Sequence, residues 1–182
     1  MGPTLINGIP AHVLFVHLVV VLVPLTALAV VLCAVWPSLA RRFGLALPVS
    51  AVVSLAGVPL TTHAGEWLKH HVDSDPLVRK HAELGDGLLP WVAGLFVLAA
   101  ALWWMHRRAG AAHSADADAD APATTTEAGG RRSAARAPGV LRVAAVVLSL
   151  VVGAGAVVQT YRIGDSGAQA AWHDNFSVTR HG

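Results

Sequence analysis

Leu18-Val-Val-Val-Leu-Val-Pro24-Leu-Thr-Ala-Leu-Ala-Val-Val-Leu-Cys-Ala-Val-Trp36 passes from residue 18 to residue 36 without a charged side chain. As a helix rising about 1.5 Å per residue, such a run crosses the roughly 30 Å hydrocarbon core of a bilayer, which needs about 20 apolar residues. Three more runs of that kind follow, so the spans are placed at 11–36, 44–62, 87–105 and 139–159. None has an Asp, Glu or Lys at its middle. The fold expected is an all-α membrane protein: four transmembrane helices in a single bundle.

Composition agrees. Of 182 residues 54% are hydrophobic and 13% charged, with mean hydropathy +0.56; soluble domains carry about 25% charged residues. A disordered chain is excluded, and a disulfide scaffold cannot form because Cys33 is the single cysteine. The formal net charge of +2 is too small for a nucleic-acid-binding module. Cys33 has no His or carboxylate at helical spacing and reads as a small apolar side chain.

Eight of the thirteen basic residues (Arg41, Arg42, Arg107, Arg108, Arg131, Arg132, Arg136 and Arg142) follow span one or lie between or at the ends of spans three and four. Loops on the cytoplasmic side retain Lys and Arg, so both termini are expected outside and the chain in the inner (plasma) membrane. Trp36, Trp103 and Trp104 then mark the inner boundary, and Trp67, Trp91 and Tyr161 the outer one. Span one is too long, and lacks the basic residues before it, for a cleavable signal; it is expected to remain in the mature protein. The chain divides into residues 1–106, with spans one to three and an outer His-rich loop, a disordered cytoplasmic linker at 107–138, and residues 139–182, span four with an outer Gly-rich tail. The linker assignment rests on its Ala, Asp, Thr and Gly repeats, which offer little to bury.

Histidine carries the functional signal. By this topology His12, His17, His63, His70, His71, His81, His173 and His181 are on the outer side. Imidazole ligates haem iron, copper and zinc, and a polar side chain within a span ordinarily faces a bundle interior or cavity. His17 lies about 9 Å down helix one, and His12, five positions earlier, is rotated from it by about 140° on a regular helix. His63, Glu66 and His70 fall at i, i+3 and i+7, a spacing compatible with a metal site. Asp75 and Pro76 form a helix start, and His81 shares a face with Leu84, Gly85, Leu88 and Val92. Gly85 would leave room beside that ring. After span four, Gly164 and Gly167 are expected to break the helix so that the chain lies as a lid across the outer mouth, with Arg162 and Asp165 placed to orient a ligand or hold a propionate.

The residues Asn7-Gly-Ile-Pro-Ala-His12, Val16-His17, His81-x-x-Leu84-Gly85 and the terminal Gly164-Asp-Ser-Gly-Ala168, on four spans, resemble the bacterial membrane family catalogued as domain of unknown function 2231. The likeness covers nearly the whole chain apart from 107–138. The family's His-Pro-x-x-x-x-His-Phe-Pro start of span one is here His12-Val13 and His17-Leu18, without the prolines. The resemblance carries over His12, His17 and His81. Relatives fused to Rieske iron–sulfur or c-type cytochrome domains imply membrane electron transfer on the outer side.

Three readings are open. One is a haem b held between helices one and three by His17 and His81, exchanging electrons with quinone or an exported redox protein. Another is a membrane subunit or scaffold without cofactor. The third is a copper or zinc site built from His63, Glu66, His70 or His71 with His12. Whichever holds, the lipid bilayer is a partner.

Overall fold

The computed structural model describes residues 5–6, 9–69, 76–119 and 139–172. A short antiparallel pair, β1 (Leu5–Ile6) and β2 (Ile9–Pro10), precedes six helices: α1 (Ala11–Val35), α2 (Pro37–Phe43), α3 (Ala46–Lys69), α4 (Pro76–Asp86), α5 (Leu89–Ala119) and α6 (Gly139–Trp172). Four helical segments, Leu14–Val35, Ala46–His63, Pro76–Ala111 and Gly139–Ala170, are long and apolar enough to cross a membrane.

The breaks between helices follow from proline and glycine. Trp36 precedes Pro37, whose ring disfavours the helical region for its neighbour, and Trp36 is extended at φ −115°, ψ 98°. Pro37 then opens α2, where its missing N–H costs nothing. Gly44, at φ +48°, ends α2 and donates its N–H to Ala40 O at 3.1 Å. Pro76 starts α4 as the sequence predicts. The helix does not run unbroken into span three, however: it turns at Gly87–Leu88 before α5 begins.

The four long helices form a ring in the order α1, α3, α5, α6, and α1 packs most extensively on α6 and α3. Neighbours are antiparallel. Thr26 of α1 meets Ser54 of α3, with Val19 against Gly57, while Val35 meets Arg142 at the opposite end of the α1–α6 seam from Val20 and Tyr161. Residues 11 and 172 therefore lie at one end of the bundle, here the histidine end. Arg41, Arg42, Arg107, Arg108 and Arg142 lie at the other, the arginine end.

Close approach is bought by small residues. A Cβ on Gly57 would lie 3.2 Å from Val19 Cγ2, and one on Gly94 would lie 3.0 Å from Val152 Cγ1. Between them run the fully buried Val23, Val30, Val92, Leu95 and Ala156. At mid-span Ser54 gives its one hydroxyl proton to Ser50 O at 2.9 Å, so Thr26 is the donor in the buried 3.2 Å Thr26–Ser54 bond that joins α1 to α3. Leu14, Leu18, Val21, Leu25 and Leu28 of α1 and Val143, Val147 and Val151 of α6 face outward. Such continuous apolar flanks suit lipid rather than water.

Two expectations change. Gly164 and Gly167 do not break α6, which continues to Trp172, so the expected lid is helix. The α5 helix passes residue 107, where the linker was expected to begin, and reaches Ala119; residues 120–138 lie outside the described residues. Trp91, at the start of α5, is half-buried because its six-membered ring covers Gly155 of α6.

Candidate functional site at the histidine end

The first two turns of α4 are too polar to enter the hydrocarbon, and one side of the helix is apolar, with Leu77, Val78 and Leu84 on it. That side lies on the C-terminal part of α6 and, less extensively, on the end of α3. Two polar contacts fix it to α6. Gln159 Nε2 donates to Leu84 O at 2.7 Å, and His81 Nδ1 stands 3.0 Å from Ser166 Oγ.

The direction of the second bond can be worked out. Ser166 is 6% exposed and donates its hydroxyl to Ile163 O at 2.9 Å. A hydroxyl has one proton, so Ser166 Oγ receives from His81, and His81 Nδ1 carries the hydrogen. In the uncharged ring the lone pair is then on Nε2. An imidazole oriented through Nδ1–H is the arrangement in which histidine ligates metals through its other nitrogen.

The small residue beside His81 is Gly167, where a Cβ would lie 3.0 Å from Cε1 and 3.3 Å from Nδ1. Gly85, expected to make that room, faces α3 instead: a Cβ there would meet Thr62 Cγ2 at an ordinary 3.7 Å.

His17 and His81 are not opposed across the bundle interior. His17 is exposed, on the flank of α1 that carries Leu14, Leu18 and Val21, whereas α4 directs His81 toward α6. Beginning one turn deeper on α1, an open groove of about 410 Å³ separates it from α6, lined by Val20, Pro24, Val157, Thr160, Tyr161, Gly164 and Asp165. Asp165 accepts from Gln169 Nε2 at 2.9 Å, and Arg162 is exposed with no ion pair among the described residues. His63 is exposed, six residues before the end of α3. The side chains of His12 and Glu66, and all of His70 and His71, lie outside the described residues. Among the described residues no three His, Cys, Asp or Glu side chains stand close enough to hold a metal ion.

Ser166 and Gly167 were missed because their segment was read as a lid, and Gln159 because it was counted only as the last residue of span four. Continued as a helix, Gln159, Ile163, Ser166 and Gly167 fall at i, i+4, i+7 and i+8, one face, and that periodicity was the available signal.

Residues 8–180 match the sequence model of the family described as predicted membrane protein (DUF2231). The chain belongs to this family. No curated protein and no solved structure matches it. The four-span bundle thus gives this DUF2231 member a multi-pass membrane architecture.

Proposed function

We propose that this DUF2231 protein is a plasma-membrane electron-transfer subunit that holds a b-type haem at its histidine end, facing outward, with His81 as an axial ligand. The observation that carries the reading is the His81–Ser166–Ile163 chain of hydrogen bonds, which orients the ring through Nδ1 as second partners orient metal-ligating histidines. Gly167 supports it by letting the ring approach α6 closely. A second imidazole fits α3 better than α1, since Thr62 of α3 meets α4 and His63 follows it. A haem bound there supplies one-electron transfer; the chain's part is to orient the ligand and to surround the ring edge with apolar side chains. The electrons would pass to quinone or to an exported redox protein.

The test is an absorbance spectrum of the detergent-purified protein before and after dithionite, with metal analysis of the same sample. A Soret band that shifts on reduction is expected, lost in His81→Ala, altered in Ser166→Ala and retained in His17→Ala. Stoichiometric copper or zinc without that band would replace the haem with the mononuclear site of His63, Glu66 and His70. Neither signal would leave a scaffold and overturn the proposal.

A further inference from the structure

At the arginine end, guanidinium groups collect on one rim. Arg41 and Arg42 occupy the last turn of α2, both exposed, and α2 packs against α5, the helix that bears Arg107 and Arg108. Arg107 Cζ lies 5.3 Å from the centroid of the Trp103 ring, and Arg108 Cζ lies 4.7 Å from that of Trp104. Arg142, at the start of α6, donates from Nη2 to Val35 O at 3.1 Å. None of these five arginines has a carboxylate partner among the described residues. Along α5 the first acid beyond Arg108 is Asp116, eight residues on, an axial rise of about 12 Å.

The aromatic side chains fix the depth of this rim. Trp36, Phe43 and Trp104 are exposed at the ends of the spans, the level at which indole and phenyl rings meet the glycerol and carbonyl region of a bilayer. Arg107 and Arg108 follow Trp103 and Trp104 by one turn, which places them at the phosphates. A guanidinium held over an indole ring still offers a planar fork of N–H donors that matches a phosphate oxygen pair. Holding the side chain on the ring in advance also reduces the ordering cost of binding.

We infer that this rim is a binding surface for anionic phospholipid, with Arg41, Arg42, Arg107 and Arg108 taking the phosphodiester groups and Trp103 and Trp104 holding two of those arginines in place. The inference is independent of the haem reading, because it concerns the opposite end of the bundle.

It is tested by native mass spectrometry and thermal shift of the full-length protein in neutral detergent, titrated with phosphatidylglycerol, cardiolipin or phosphatidylcholine. The anionic lipids are expected to stay bound and to raise the melting temperature, while phosphatidylcholine does neither, and 0.5 M salt should weaken the effect. Arg107→Gln with Arg108→Gln, checked for unchanged helicity, should lower apparent affinity by about fivefold for each arginine removed. The Lys pair should recover part of that loss, since it restores charge without the fork. Equal retention of phosphatidylcholine would overturn the inference. So would a well-folded Gln pair that binds phosphatidylglycerol undiminished, or displacement of the lipid by soluble glycerol phosphate at equal concentration.

Discussion

Three glycines of α6 permit the same substitution in one helix with opposite outcomes. Gly→Ala in a helix interior gains about 0.5–1 kcal/mol from backbone entropy and propensity. At Gly164 nothing lies within 4 Å of an added Cβ, so the gain should appear undiminished. At Gly167 the Cβ would sit 3.0 Å from His81 Cε1, and the ring must yield by a few tenths of an ångström, which loosens its bond to Ser166. The gain there should be cancelled or slightly reversed. At Gly155 the Cβ would enter the Trp91 ring, so that α5 and α6 must part or Trp91 must leave its position. Overpacking of that kind costs about 1–3 kcal/mol, more than the helix gain. The order of stability expected is Gly164→Ala, wild type, Gly167→Ala, Gly155→Ala. Unfolding in mixed micelles, followed by far-UV circular dichroism, measures it. A Gly155→Ala protein as stable as Gly164→Ala would refute the register of α5 on α6 and the packing argument with it.

Other substitutions probe the remaining contacts. Gln159→Leu removes the donor to Leu84 O and should raise hydrogen exchange in α4 while leaving α1 and α3 protected; uniform loss of protection would contradict a local clip. Ser166→Ala leaves His81 Nδ1–H without its acceptor and should cost about 1 kcal/mol of stability; an unchanged unfolding midpoint would mean that the bond contributes nothing. Thr26→Val deletes the donor in the mid-span bond to Ser54, and a loss of about 0.6 kcal/mol, with an upper range near 1.7, is expected. A loss several times larger would require a role for Thr26 beyond joining α1 to α3.

The four spans were legible because a bilayer demands a length of apolar helix that little else produces, and the start of α4 was legible in Pro76. What could not be read came from packing. Gly164 and Gly167 look like helix breakers by intrinsic preference, yet Ile163 and Ser166 are buried, and that burial outweighs a glycine penalty of about 1 kcal/mol each. The stretch from Ala109 to Ala119 lacks bulky side chains but is rich in alanine, the strongest helix former, so α5 extends through it. At the site, His81 was identifiable by its place on an amphipathic helix. Its partners were not, because the bond to Ser166 joins residues 85 positions apart. The position of His17 was not legible, because a polar residue in a span is usually turned inward, whereas here it shares the outward flank of α1.

The seam between α1 and α6 has a temporal consequence. The α1 helix leaves the ribosome more than a hundred residues before α6, on which it packs most extensively, with Arg142 and Val35 joined across 107 positions of sequence. Until the fourth span is synthesised, the surface of α1 around Ala27 and Val31 must rest against lipid or insertion machinery, as Gly153 has not yet arrived to cover it. Nascent chains halted before residue 139 should therefore be recognised as unfinished and degraded, even with three spans already inserted.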